Sequence, residues 1–178
     1  ALLNGLGGGA SALVALVEIF ERYQEMLFFG RLTSQLALAV GAVTLSGSLI
    51  AAGKLDRRIS QRPVILTNHS LISNIVLLIV ALLVIAASVT NISGIAFISI
   101  LTAILALAYG ILFAIRVGGA DMPITISLLN SFSGLAGAIC GFTIGDPLLV
   151  AVGAIVGASG LILTQIMCSA MNRSLIDI

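Results

Sequence analysis

Charge is what this sequence has least of. Only 8% of its 178 residues are Asp, Glu, Lys or Arg, against about 25% in a soluble globular domain. So few charges cannot cover a globule of this size with a solvated surface. The formal net charge of +1 excludes a nucleic-acid binder that relies on a broad basic face. Tryptophan is absent, and the single histidine, His69, falls in a basic loop where it is expected to be solvated. Two cysteines, Cys140 and Cys168, sit in separate apolar stretches. One thiol per helix lacks ligand spacing, so they are expected to be small core residues with no disulfide, metal or redox role. Disorder is excluded as well, because it needs high polarity and few branched aliphatics. What remains is apolar: 60% hydrophobic residues and a mean hydropathy of +1.24. The bilayer is the solvent that fits.

Six stretches are long enough to cross a hydrocarbon core, which takes about 20 helical residues. They are A (about 1–17), B (36–52), C (71–89), D (95–115), E (123–142) and F (147–170). The expected fold is an all-α polytopic membrane domain of six helices. The first residues already read as the interior of a span and are not Met, so the chain is expected to be a fragment. The basic residues orient it. Lys54, Arg57, Arg58 and Arg62 lie between B and C, Arg116 between D and E, and Arg173 after F. Arg22 and Arg31 lie between A and B, on the opposite side. Six against two places both chain ends on the inner side.

The chain also resembles itself. At a constant offset of 126, Leu2, Leu3, Asn4, Gly8, Ala10 and Ala12 recur as Leu128, Leu129, Asn130, Gly134, Ala136 and Ala138. A and E run the same way, so a pair repeat A–B/E–F would be parallel. Whatever its ancestry, two helices carry the same polar residue at the same depth.

Helical spacing then shows which spans are polar. Residues at i, i+4 and i+7 share a face. E presents Asn130, Gly134, Gly137 and Gly141, with Ser127 one turn earlier; A presents Asn4, Gly8 and Ser11; F presents Gly153, Gly157, Gly160 and Thr164; B presents Gly41, Thr44 and Ser48. Small residues let backbones approach, and hydroxyls and amides find partners there rather than in lipid. C is aliphatic from Ile75 to Ala87, and D offers only Ser99, Thr102 and Tyr109. A, B, E and F are therefore expected to form an inner bundle with C and D peripheral.

An Asn within a span faces the bundle interior, either as interhelical glue or as a polar station for water or a proton. Asn130 lies seven residues past Pro123, about 10 Å into the membrane. No Asp, Glu, Lys, Arg or His falls within these six stretches. A proton path here would run over Asn, Ser, Thr and water. Gly5 to Ala10 matches G-x-G-x-x-A, but that fingerprint requires a preceding strand, and here it lies in a span. Close helix packing explains those glycines better. At the inner face, Asp121 precedes Pro123 and can cap or complement the start of E. Arg173 closes F, where an Asp121–Arg173 pair would link E to F.

Three segments carry a family resemblance. GGADMPITISLLNSFSG (118–134), GASGLILTQIMCSAMNRS (157–174) and GAVTLSGSLIAAGKL (41–55) closely resemble the beta subunit of proton-translocating NAD(P) transhydrogenase, and the likeness covers essentially all of 1–178. It implies the membrane domain of that subunit, lacking its earliest helices and a C-terminal NADP(H)-binding domain. The family couples hydride transfer from NADH to NADP+ to inward proton movement. By resemblance, Asn130 is the channel asparagine, and Asn4, Ser127, Thr44 and Ser48 of the polar helix faces are expected to lie on the same proton path. Asp121 and Arg173 couple to the NADP(H) domain, and Gly134, Gly153, Gly157, Ser159 and Gly160 pack and gate the helices. Ala158 stands where many members have Ser. More important, Asn4 stands where many have the His regarded as the relay, so either a histidine on a partner-subunit helix replaces it, the favoured expectation, or the path is organised differently.

The resemblance implies no catalytic residue, metal or cofactor on this chain, with NAD(H) and NADP(H) on partner domains. The implied partners are the alpha-subunit membrane helices, the soluble nucleotide domains, a second copy of the whole complex and the lipid bilayer. The implied location is the bacterial inner membrane, or alternatively the mitochondrial one. A reading from another class is a small secondary transporter or channel built on a parallel repeat, which would need a solute-sized cavity between A and E. A third is a scaffold whose Asn and Gly residues only pack helices.

Overall fold

The computed structural model describes residues 1–89 and 94–172. Aliphatic runs at this density leave backbone polar groups no solvent, so they must pair within each segment, and the α-helix does that. The helices are α1 (Leu2–Arg22), α2 (Phe28–Leu55), α3 (His69–Val89), α4 (Ile95–Ile115), α5 (Met122–Ile144) and α6 (Pro147–Ala170), with a 3-10 turn at Gly119–Asp121. All six α-helices are long and apolar enough to cross a membrane.

The expected bounds of α4 and α6 hold, whereas α1 and α2 are longer than hydropathy predicts. Glu18, Glu21 and Arg22 continue α1, and α2 begins eight residues before Leu36. Hydropathy stops at a charge. A helix need not, because long charged side chains reach water from its last turns. Arg22 and Arg31 therefore lie on helices, joined only by residues 23–27. Arg31 Nε donates to the Tyr23 carbonyl at 3.2 Å, and its guanidinium lies 4.8 Å from the Tyr23 ring centre, within cation–π range. The buried Tyr23 hydroxyl donates to the Ala87 carbonyl, tying the end of α1 to the end of α3. Burial pushes that phenol above its ordinary range, partly offset by Arg31, so the hydroxyl keeps its donor proton at neutral pH.

The helices alternate in direction. Gln35 and Ser99 meet at the starts of α2 and α4 through a 2.7 Å hydrogen bond, and Lys54 meets Ile115 at their ends. Arg57, Arg58, Arg62 and Arg116 thus gather at one end, the basic end, with Tyr23, Arg22 and Arg31 at the other.

Two helices form the centre. In their most apolar stretches, 56% of α2 and 61% of α5 is buried, against 22% for each of α3, α4 and α6. α1 packs on both α2 and α5, α5 packs on α2, α6 joins this group through α5 and α4 through α2, while α3 lies outside. Two details exceed the expectation. α4 packs closely on α2, with Gly110 against Val43 and Ser46. α6 keeps its remaining faces open, with Leu148, Ile155, Ile162 and Ile166 exposed.

The basic end corrects two further expectations. His69 is not a solvated loop residue; it opens α3 and is buried. Lys54 is not a loop cation either, but a fully buried residue in the last turn of α2. Both serve the end of α4, whose final carbonyls have no partner within the helix. His69 Nε2 lies 3.0 Å from the Leu112 carbonyl, and Lys54 Nζ donates to Ile115 at 2.6 Å. The Lys54 ammonium there also complements the negative end of the helix dipole.

Candidate functional site

The seam between α1 and α5 holds the two asparagines. Asn4, half-buried, donates from Nδ2 to the Ile126 carbonyl at 3.3 Å. In an α-helix that carbonyl also receives the N–H of residue 130, so the Asn4 amide docks on the turn that carries Asn130. One turn further, a Cβ on Gly7 would lie 2.7 Å from Ser133 Oγ. The separation of that pair is again 126, so the offset seen within the sequence is the register in which α1 and α5 lie side by side. Asn130 is half-buried, about 12 Å from the start of α5, and its side chain has no hydrogen bond among the described residues. An amide with open donor and acceptor positions, one helical turn from the carbonyl that Asn4 holds, can take up water or a transient proton carrier.

α2 closes the other side of α1. Thr44 is buried, its hydroxyl bonded back to Val40 at 2.7 Å, and its Cβ would lie 2.7 Å from a Cβ on Gly8. Ser48 is fully buried beside Gly5, and its hydroxyl has no partner among the described residues. A buried hydroxyl without a partner costs about 1–3 kcal/mol. A water arriving there would therefore be welcome.

Ser127 is turned to a different neighbour. Its hydroxyl accepts from Thr164 at 3.0 Å and donates to Gly160 at 3.4 Å. Ser131, a residue the sequence reading missed, donates to the Gly157 carbonyl at 2.6 Å. With Gly134, Gly153, Gly157 and Gly160 they make the α5–α6 seam, in which a Cβ on Gly134 would lie 2.5 Å from the Gly157 nitrogen. The i, i+4, i+7 pattern of Ser127, Ser131 and Gly134 was the available signal for Ser131.

Ser159, expected in this seam, is exposed, and its hydroxyl is bonded back to Val156 at 3.1 Å. Two positions past Gly157 on a helix, it points well away from the glycine face.

At the basic end, Asp121 closes the 3-10 turn and occupies the N-cap position of α5, but its side chain makes no capping hydrogen bond. The side-chain cap belongs to Asp146 at the start of α6, which accepts from Leu148 and Leu149. Arg173, and with it the Asp121–Arg173 pair, lies outside the described residues. A cavity of about 830 Å³ does open at this end, but between the start of α1 and the end of α2, lined by Leu2, Leu3, Leu49 and Arg58 among others. Between α1 and α5 the helices touch at Asn4 and Ile126 and at Gly7 and Ser133.

The site therefore defines a class: a membrane-spanning helical domain with an uncharged polar seam through its packed centre. Comparison with known proteins gives the particular family. The family model for the NAD(P) transhydrogenase beta subunit matches residues 1–178, and the chain belongs to that family. Two curated relatives from Rhodospirillum rubrum, each named NAD(P) transhydrogenase subunit beta, are 50% identical over 143 residues, covering 80% of this chain and 30% of their own. The chain thus spans about a third of the length of the relatives it matches.

Proposed function

We propose that this chain is the proton-translocating domain of a bacterial inner-membrane NAD(P) transhydrogenase. Hydride passes from NADH to NADP+ on separate soluble domains that bind the two nucleotides, and this bundle supplies the path and gate of the coupled proton. The observation that carries the reading is the Asn4–Asn130 seam, two amides in register at the contact of α1 with the central helix α5.

The charged side chains of the described helices sit within the last or first turns, as with Glu18, Arg31 and Lys54. Nothing in the middle of the bundle can hold a full charge, since the seam offers only Asn, Ser and Thr. The proton accordingly crosses on water held by Asn130, Asn4 and Ser48, and the titratable relay comes from a membrane helix of the alpha subunit lying against α1. Asp121, with Arg173, faces the NADP(H) domain, whose redox state biases inward- and outward-open states by differential contact. The whole complex is a dimer.

The test separates proton-coupled turnover from nucleotide exchange reactions confined to the soluble domains. Asn130→Leu fills the seam with an apolar side chain of similar size. In the intact enzyme it is expected to reduce coupled turnover, and proton uptake by inverted vesicles driven by the reverse transfer from NADPH to NAD+, at least tenfold, while exchange persists. Normal proton uptake by that variant would remove the assignment.

A further inference from the structure

Lys54 is a charge the proton seam does not use. An ammonium taken out of water is costly unless it is hydrogen-bonded, and here two backbone carbonyls hold it, Ile115 at 2.6 Å and Val117 at 2.7 Å. Among the described residues no carboxylate is within ion-pair distance. The two carbonyls are not equivalent. Ile115 ends α4 and also receives the Val64 N–H at 3.1 Å, and His69 holds the same helix end at Leu112. Val117 lies beyond the helix, where Lys54 is its donor. Without Lys54 the end of α4 stays capped, but the Val117 carbonyl loses its donor, while its side chain stays packed against Met122 and Ile124.

The segment after Val117 gives this bond its consequence. The turn through Gly119 and Ala120 is exposed, Asp121 is half-buried, and Met122, buried, starts α5. Asn130 stands eight residues further on. On its own helix, Lys54 shares a face with Thr44, Gly47 and Ala51, and Gly47 abuts Leu129 of α5 and Gly110 of α4. A cavity of about 10 Å³ beside Lys54, lined also by Gln61, Gly119 and Met122, has room for about one water. The ammonium has three N–H groups and two carbonyl partners, so one N–H is left for a water in that cavity, which keeps the ammonium solvated whether or not Val117 is bonded.

We propose that Lys54 is a positioning residue of the proton-coupled reaction. Its ammonium ties the Gly118–Asp121 turn to α2, so that a displacement of the turn moves α2 and the first turn of α5 together, and Thr44 and Asn130 respond as one unit. Coupling over distance requires an element with two discrete arrangements, here the Lys54–Val117 bond made in one and broken in the other. The proposal rests on the proton-domain reading of this chain.

The experiment uses the intact enzyme and reads the ratio of proton-coupled turnover to nucleotide exchange, each normalised to assembled complex. Lys54→Met keeps the length and removes every donor, and the ratio is expected to fall at least tenfold. Lys54→Gln keeps one amide donor group and is expected to fall between Met and the native residue. A residue that only stabilises the fold would lower both activities together, so an unchanged ratio in either variant overturns the proposal. Should Lys54→Met fail to assemble, Lys54→Gln decides alone. Asn130→Leu is measured alongside: a normal ratio there removes the proton-domain reading itself. A low ratio there with a normal one in the Lys54 variants removes only the role of Lys54.

Discussion

Glycines in this chain differ sharply in what they tolerate, and the difference comes from what each backbone faces. A Cβ on Gly153 would collide with the Ala138 nitrogen and lie 2.7 Å from the Gly134 carbonyl oxygen. Neither is the end of a flexible side chain. Gly137, one position before Ala138, has nothing within 4 Å of where a Cβ would sit. Gly153→Ala is therefore expected to destabilise the domain by about 1–3 kcal/mol, the usual cost of overpacking. Gly137→Ala should be neutral or stabilising by up to about 1 kcal/mol, since Ala is the better helix former. Unfolding in detergent micelles checks both, and equal effects at the two positions would contradict the packing described. The spacing rule placed Gly153 and Gly157 correctly and left Ser159 off that face, whereas the family resemblance put Ser159 among them. Its membership of a small-residue cluster carried no information on direction, and a helix turns about 200° over the two residues from Gly157.

Among the elements, α6 is held differently from the rest. α2 and α5 are buried by several neighbours, whereas α6 depends on one seam with α5, closed by glycines and by hydrogen bonds from Ser127, Ser131 and Thr164. Damage to that seam should release α6 and leave α1 in place. Gly160 lies against Ser131, whose Cα would be 2.9 Å from an added Cβ. Gly160→Val is expected to expose Cys168 of α6 to a membrane-permeant maleimide, while Cys140, packed among Ala12, Ala15 and Ile19 of α1, stays protected. Equal labelling of both thiols would mean that the whole bundle had opened. The lengths of α1 and α2 make a related point. Hydropathy located their apolar middles, but Glu18 and Arg22 form an i, i+4 ion pair at 3.5 Å that suits a continuing helix.

For the molecule as a whole, the distribution of charge sets the orientation. Arg57, Arg58, Arg62 and Arg116 share one end, and Arg22 and Arg31 the other. With the basic end in the cytoplasm, a cysteine introduced at the exposed Ser60 should react with an impermeant reagent only from the inside, and one at the exposed Gln24 only from the outside. The opposite pattern would invert the direction of every step assigned to the path. Lys54 does not belong in that count of surface charges, although it sits in the same sequence neighbourhood. Its side chain serves the junction of α4 and α5, more than 60 residues away along the chain.

By itself the sequence determined the solvent, the six spans, their alternation and the residues able to form close seams. Those properties arise from composition and helical period, which act locally. It also held the register of α1 on α5, as the offset of 126 that brings Asn4 to the turn of Asn130. Tertiary structure alone decided which seam each polar residue enters. Ser127 and Asn130 stand three residues apart on one helix, yet the hydroxyl is bonded to α6 and the asparagine lies on the turn facing α1. It also decided that Lys54 and His69 are buried caps rather than solvated charges. The reason is physical: a cation's burial depends on acceptors brought from elsewhere in the chain, and the last carbonyls of α4 become available only once the helices have packed.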